Sequence, residues 1–554
     1  MKRQRVKKIL ACGLAGAMVL GMSACGGSSE EKKTEKDAKF EDESVYNEPG
    51  TFPVLKEKTK LTIGMKQSAF VTDYDTNKYT KWLEEKMNID LEFILFPEQD
   101  ADQKLSVMIN AGDELPDIIN LNLNSSDAEK YGDMGAFIPL NEYYEKSSYY
   151  IKDLMENPEF ADLMKYYTAS DGNIYTVPKI TLENGNIFSR KAWINKTWLD
   201  KYNLEVPETT DELYTALKTF LEEDANGNGK RDEIPFVGNT SGWSQSVAPY
   251  LMSAFVYTNP DTDYLIVEDG KIDVAYRQEE WKEGLEYLNK LCKEGLLSTL
   301  SFTQDQQQFK ALAEGPEEQT IGGFTAARPQ YPVEDMRKAD FVVMPPLKGP
   351  DGVQSSIVTG NGLPVSQFHI TRDCEHPEIA FKLADLMMSE EASMFQRHGE
   401  PEVDYKEVDG EPIKGESKHK IEAILQFGDQ QNSHWQTENP GFIGDFLWTE
   451  TWDGKLDPEK PNYYGILIAQ STELYKKYEP EEHIDKIVYS AEEMEELLDI
   501  KTSLRSYVDE QMVAFITGTA SFETWDAYLE ELNVIGLERY LELTQQAYDR
   551  MTEK

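Results

Sequence analysis

The chain has 554 residues, enough for two or more domains around a substantial buried core. With 40 % apolar and 11 % aromatic residues it is globular and not disordered. Its formal charge of −45 creates a field that repels nucleic acid and anionic membrane surfaces, so neither is an expected partner.

The first stretch is a secretion signal. Lys2, Arg3, Arg5, Lys7 and Lys8 make a basic start, Ile9 to Met22 a short apolar core, and Met22-Ser23-Ala24-Cys25 closes it. The apolar run is shorter than the about 20 residues of a spanning helix and ends in small residues. It resembles a bacterial lipoprotein signal, in which a peptidase cuts before the Cys and the thiol carries a diacylglycerol. That resemblance implies removal of residues 1–24 and a mature chain lipidated at Cys25, held on the extracellular face of the cell membrane. An ordinary signal peptide with an incidental Cys25 is the alternative. Losing residues 1–24, with five Lys or Arg and no acid, takes the charge from −45 to −50. Of the remaining cysteines, Cys292 and Cys374 lie far apart with no CxxC and no neighbouring His, so two free thiols are expected, with a disulfide between them as the alternative. Residues 25–58 are small, charged and almost free of aliphatics, which predicts a flexible tether.

The body opens on a strand at Lys60–Met65, a loop at Val71–Asn77, a helix at Lys78–Met87 and a strand at Ile89–Leu95. A helix from Gln103 to Asn110 and a strand at Pro116–Leu121 follow. Strand and helix in alternation with short turns make a parallel α/β unit, whose ligands sit at the carboxyl ends of the strands. Asp73, Tyr74 and the Asn122–Ser126 loop fall on that rim.

Glu84-Glu85-Lys86-Met87-Asn88-Ile89, Ala111 to Asp117, and Phe137-Ile138-Pro139-Leu140 resemble the first lobe of the extracellular solute-binding proteins, family 1, lipoproteins that feed ABC importers, often with sugars. Asp171 to Pro178 is similar to the family's segment before the first crossing into the second lobe, and Ala192 to Leu199 to the strand and helix after it. Trp281–Lys293, Gln319–Phe324, Asp340–Leu347, Ile357–Val365 and His376–Met388 continue the likeness in order, and Ser506–Gly518 with a long helix to Tyr548 resembles the closing helices. The resemblance covers residues 59–554. It implies a two-lobed α/β fold of the periplasmic-binding-protein type II, with a hinge of several crossings and a ligand cleft between lobes. The first lobe would be 59–185 with part of 360–554, and the second 186–359 with part of the C-terminal helices.

Thr209 or Thr210 caps a helix to about Glu223, after which comes Asp224-Ala225-Asn226-Gly227-Asn228-Gly229-Lys230-Arg231-Asp232-Glu233. Oxygen-bearing side chains at loop positions 1, 3, 5 and 9, with Gly at 6, suit a hard cation. Asp224, Asn226, Asn228, Asp232 and Glu233 are the candidate ligands, with Lys230 offering its carbonyl. Pro235 stands where an EF-hand has its closing Glu. Many members of the resembled family carry such a loop as a fixed calcium site, so structural calcium is expected; a surface turn that binds nothing is the alternative.

Catalytic signatures are missing from the sequence: no GxSxG elbow, no HExxH, no nucleotide-binding glycine loop, and six His residues all from His369 onward. With 101 acids a carboxylate pair could still meet by chance, so a glycosidase stays an alternative to a non-enzyme. Tyr and Trp rings suit the C–H faces of sugars, while Asp, Asn and Arg fix hydroxyls. The candidate ligand residues are Asp73, Tyr74, Asn124, Trp193, Trp243, Arg328, Tyr331, Asn361, Trp435, Trp448 and Trp452, each aromatic weighed against core packing. Trp82, Trp281 and Trp525 sit in amphipathic helices and are assigned to the core. The expected function is capture of a carbohydrate, an oligosaccharide above all, by a monomer that hands it to ABC permease subunits. Capture of peptides or another polar solute is the alternative.

Overall fold

The computed structural model describes residues 38–552 apart from 69, 98–99, 157–163, 170, 183–186, 330–331, 360–364, 414–416, 426–429, 436–439 and 445–446. The expected signal peptide, Cys25, Tyr331 and Asn361 lie outside the described residues. The strands of two central sheets are, in chain order, β1 (Thr59–Lys66), β2 (Ile89–Phe96), β3 (Ile118–Leu123), β4 (Val177–Leu182), β5 (Ala192–Asn195), β6 (Gly323–Thr325), β7 (Phe341–Met344), β8 (Val365–Ile370) and β9 (Gly441–Gly444).

The larger sheet has the order β9-β4-β8-β3-β1-β2, with β8 antiparallel to its neighbours and the other pairs parallel. In β1 the side chains of Leu61, Ile63 and Met65 are buried, the period of two that a strand with one covered face needs. Gly64 between them lets the neighbours close in, since an added Cβ would stand 2.7 Å from Phe96 Cε2. Phe96, Leu105, Ile109, Ile119, Leu121 and Phe137 form a core of this part.

In the smaller sheet β5 lies between β6 and β7 and runs antiparallel to both. Ile234 and Val237 join its edge in parallel, beside Ile321 and Phe324. The helix Thr210–Glu222 starts at a capping box: Glu212 N donates to Thr209 Oγ1 at 3.1 Å and Thr209 N to Glu212 Oε2 at 3.1 Å. A second core joins Trp198, Phe220, Trp281 and Leu288 to Phe515, Trp525 and Tyr540 of the C-terminal helices.

Several boundaries differ from the sequence expectation. The helix expected from Ser506 starts at Ala491, because Ser490 and Glu493 form a second capping box, and it runs to Thr517 with Gly518 at φ 78° as its stop. The single closing helix is two, Trp525–Ile535 and Leu537–Thr552, broken at Gly536, whose φ is 125°. Of the crossing strand expected over Ile357–Val365, residues 357–359 are not in a strand, 360–364 lie outside the described residues, and the described strand begins at Val365. The charged tract at 404–420 forms more than a hairpin, since its strands join Trp448–Trp452 in a four-stranded sheet.

Residues 39–55, within the expected tether, are seated on the body. Lys39 N donates to Tyr143 Oη at 3.0 Å, Glu41 N to Glu378 Oε2 at 2.8 Å, and Val54 N and Leu55 N to the carbonyls of Lys86 and Met87. Leu55 is 1 % exposed. The few aromatics and aliphatics of this strap carry it, and its charges face outward, so composition averaged over 25–58 hides the contact. Cys292 and Cys374 are free thiols.

Candidate functional site

Both sheets turn one edge toward the segments that join them. The carboxyl ends of β1, β3 and β4 share a rim with the amino end of β8, and the carboxyl ends of β6 and β7 share one with the amino end of β5. The chain leaves β4 for β5 and returns from β7 to β8, so both connections run between these two rims. A third passage is the helix Tyr463–Lys476, which starts beside the four-stranded sheet through Asn462 Nδ2 donating to Thr451 O at 2.9 Å. Its Tyr463, Tyr464 and Leu467 pack with Trp193, Phe324 and Phe341.

The roots of these passages are tied together by buried hydroxyls. Thr359 N donates to Ile187 O at 2.7 Å, and Ser189 Oγ lies 2.8 Å from Ser244 Oγ and 3.2 Å from Thr359 Oγ1. Tyr475 Oη accepts from Ala192 N at 3.3 Å and donates to Met344 O at 2.8 Å, so one hydroxyl joins the start of β5, the end of β7 and the third passage. Lys191, 1 % exposed, donates from Nζ to Ser471 Oγ at 2.6 Å. With hydroxyls rather than a carboxylate beside it, burial pulls its amine down to about 7.

A cavity of about 600 Å³ opens at the rim of the larger sheet. One wall is Asn122–Asn124 at the end of β3, with Ser126, Thr168, Thr176 and Ser366; the other is Asn259 with Asp261–Asp263, Thr359 and the run Asp485–Tyr489. Amides and hydroxyls outnumber the charged groups and alternate with apolar side chains such as Leu265, Val365 and Ile487, and the charged groups are already engaged. Arg190 Nη2 lies 2.6 Å from Asp261 Oδ1, Lys501 Nζ 2.9 Å from Asp263 Oδ2, and His483 Nε2 3.2 Å from Asp485 Oδ1. The hydrogen bond to Asp485 raises the His483 pKa, and burial lowers that of the Lys486 amine.

The candidate ligand residues divide. Trp243 is 42 % exposed, on the loop that follows Val237, and its carbonyl accepts from Ala327 N, which places Arg328 beside it on the rim of the smaller sheet. The Arg328 guanidinium lies 5.6 Å from the Tyr464 ring. Asn124 lines the cavity, but its Oδ1 accepts from Asp127 N at 2.8 Å and caps the helix Ser125–Asp133. Asp73 is exposed, and the Thr76 backbone amide at 2.8 Å holds its carboxyl below the usual range.

Three expected ring platforms are core residues. Tyr74 is 5 % exposed, packed on Phe93 and Trp435 with its hydroxyl on Lys66 O at 3.1 Å. Trp435 is 0 % exposed, its indole donating to Thr80 Oγ1 at 2.8 Å, and Trp193 is 1 % exposed, donating to Ala326 O at 2.9 Å. The apolar faces of these rings have more to gain from the interior than from a wet cleft. Trp448 is also buried, with its ring edge 4.3 Å from His398 in a small satellite core, and Trp452 is half-buried in the same four-stranded sheet. Of the tryptophans assigned to the core, Trp281 and Trp525 are buried and Trp82 is half-buried. The cavity residues Asn259–Asp263 and Asp485–Tyr489 escaped the sequence reading; Asn259-Pro260-Asp261 is a turn signal, but nothing in it marks a ligand wall.

The loop at 224–233 closes on itself. Asn226 and Asn228 donate from Nδ2 to Asp232 Oδ1 at 3.1 and 3.0 Å, holding that carboxyl below the usual range, and Gly229 N donates to Asp224 Oδ2 at 2.9 Å. Asp224 Oδ1 and Glu233 Oε2 are buried with no hydrogen-bond partner. Two orphaned carboxylate oxygens in a loop that also carries Asn226 and Asn228 fit a hard cation. Among the described residues no three His, Cys, Asp or Glu side chains converge as a metal cluster, so the amides and main chain would supply much of such a shell.

FusA, the fructooligosaccharide ABC transporter substrate-binding protein of Streptococcus pneumoniae, is 26 % identical over 558 residues, 97 % of each chain. Its structure in complex with kestose aligns with a TM-score of 0.73 at 24 % identity, covering 89 % of this chain and 99 % of that one. A FusA EF-hand mutant in complex with fructo-nystose aligns at 0.72. The HMO-binding solute-binding protein of Bifidobacterium longum infantis aligns at 0.74 with 21 % identity over 90 % of this chain and 100 % of its own. YtcQ of Bacillus subtilis, a polygalacturonan/rhamnogalacturonan-binding protein, is 24 % identical over 362 residues, 65 % of this chain and 67 % of its own. The bacterial extracellular solute-binding protein family matches residues 69–394, more than half of the chain, and the chain belongs to that family.

Proposed function

We propose that this chain is the substrate-binding lipoprotein of an ABC importer and captures an oligosaccharide in a cleft between two lobes for delivery to the membrane subunits. The observation that carries this is the pairing of rims: two sheets present their strand ends to the same three passages, with a cavity lined by amides, hydroxyls and apolar side chains at one rim and the exposed Trp243 on the other. The first lobe takes residues 59–185 and part of 360–554, the second 186–359 and part of the C-terminal helices. Trp243 would stack on a sugar ring, Arg328 would reach its hydroxyls, and the amides and hydroxyls around Asn122 and Thr262 would exchange hydrogen bonds with the rest. Closure of the lobes on the ligand is the state the permease reads. The ligand leaves unaltered, since the site needs no catalytic group.

Cys25 carries the lipid, whose two acyl chains suffice for stable attachment, and a monomer does the work. Calcium, when bound at 224–233 through Asp224, Asp232 and Glu233 with the Asn226 and Asn228 amides and the Lys230 carbonyl, would fix the end of the helix Thr210–Glu222 to the edge strand at 234–237. Its part is structural. The test is a thermal-shift screen of the mature chain against mono- and oligosaccharides and short peptides, with turnover of each sugar assayed. A saturable rise with an intact sugar supports capture. A cleaved sugar makes this an enzyme, and a rise with peptides alone moves it to another solute class.

A further inference from the structure

The charged groups of the cavity are matched within the protein. Four lining carboxylates, Glu129, Asp261, Asp263 and Asp485, face two lining amines, Lys486 and Lys501. Three of those carboxylates already have a side-chain partner: Asp261 the Arg190 guanidinium at 2.6 Å, Asp263 the Lys501 amine at 2.9 Å, Asp485 the His483 ring at 3.2 Å. Asp263 Oδ1 has Arg505 Nη1 at 3.8 Å as well. Lys501 therefore has its counter-charge, and burial biases the Lys486 amine toward its neutral form. Arg328 is not among the lining residues and packs over Tyr464. The remaining polar lining is neutral and includes Asn122, Ser126, Thr168, Thr176, Thr262 and Ser366.

From this matching we infer that the cavity at the rim of the larger sheet takes uncharged sugar units and rejects sugar acids. The inference rests on the carbohydrate reading above. A uronate carboxylate entering here meets acids that already have their partners and would have to take Lys501 from Asp263, leaving that half-buried carboxylate with only the more distant Arg505. Hydroxyls meet donors and acceptors that ask for no such exchange. Relatives within the family are described as binding both kinds of glycan, so the distinction belongs to the individual cleft.

The experiment is calorimetric titration of the mature chain with neutral trisaccharides, one each of fructose, xylose and glucose units, and with trigalacturonate. At least one neutral trisaccharide is expected to bind about a hundredfold tighter than trigalacturonate, with a Kd that moves less than about twofold between about 50 and about 500 mM salt. Trigalacturonate binding tighter than every neutral sugar, and weakening about tenfold or more over that salt range, would overturn the inference while leaving carbohydrate capture standing. Binding of peptides alone would remove both. A second arm uses Asp263→Asn, at a position with φ 53° that Asn adopts readily, which releases Lys501 into the cavity. The ratio of trigalacturonate affinity to neutral-sugar affinity is expected to rise about tenfold; an unchanged ratio would show that the ion pair is not what excludes acids.

Discussion

The Lys191 ammonium donates to the Ser471 hydroxyl at 2.6 Å, within the root where the first and third passages meet β5. Its surroundings offer Ser471, Thr472 and the Tyr475 ring 5.8 Å away, none of them an anion. Burial lowers the folded-state pKa to about 7, below the value of about 10.4 in an unfolded chain. Between those values the unfolded state holds more protons, so this group makes stability rise with pH across that window, and below it the full cost of the buried charge is present. Lys191→Met is therefore expected to stabilise the protein by about 2 kcal/mol near pH 6, after the lost hydrogen bond is counted, and by little near pH 10. Urea titrations at the two pH values check this; an equal effect at both would mean that the amine is not charged in the fold.

Substitutions at Trp243 and Trp435 are expected to separate ligand binding from packing. Trp243→Ala removes a ring that is 42 % exposed, so unfolding should change by less than about 0.5 kcal/mol while sugar affinity falls about tenfold or more. Trp435→Ala opens a hole among Tyr74, Tyr79 and Phe93 and strips Thr80 of a donor, costing about 3–5 kcal/mol. Calorimetry of binding beside thermal unfolding distinguishes them. A Trp243 variant with unchanged affinity for the bound sugar would take the ring out of the site.

Alternation in Leu61-Thr62-Ile63-Gly64-Met65, the helix period of Lys78–Met87 and the Thr209 cap made the α/β order legible before any coordinates, because each is a local signal. Which aromatics face the cleft was not legible. Trp193 and Trp243 look alike in sequence, and their difference arises from the partners brought by distant segments: Ala326 O takes the Trp193 indole. The Asp485–Tyr489 wall comes from a segment whose composition resembles any charged surface loop. Side-chain burial set by long-range pairing leaves no mark at fixed spacing.

Calcium at 224–233 should register as stability. Asp224 Oδ1 and Glu233 Oε2 are buried without partners, so a bound cation relieves two desolvated oxygens. At a calcium concentration of about a hundred times Kd the gain is about 2.7 kcal/mol, seen as a fall of a few degrees in Tm when a chelator is added. Glu233→Gln should abolish the response to calcium while leaving the Tm in chelator equal or higher, because the uncompensated carboxylate is gone. A chelator-sensitive Tm that survives both Glu233→Gln and Asp224→Asn would place the cation elsewhere.

Truncation at residue 59, where the first strand begins, should cost far more than removal of a linker. The strap inserts Leu55 at 1 % exposure, stacks Phe40 5.1 Å from Tyr143, and satisfies Glu378 through Glu41 N. Glu378 is itself 7 % exposed and also accepts from Ser147 Oγ at 2.9 Å, so losing the strap uncovers a buried carboxylate as well as apolar surface. Burial of Leu55 alone contributes about 2 kcal/mol, and the hydrogen bonds of Val54 and Leu55 to the end of the helix Lys78–Met87 add to it. A chain beginning at Lys39 is therefore expected to melt several degrees above one beginning at Thr59, and Leu55→Ala in the longer chain to recover part of the difference. Equal melting of the two lengths would return residues 39–58 to the role of a tether.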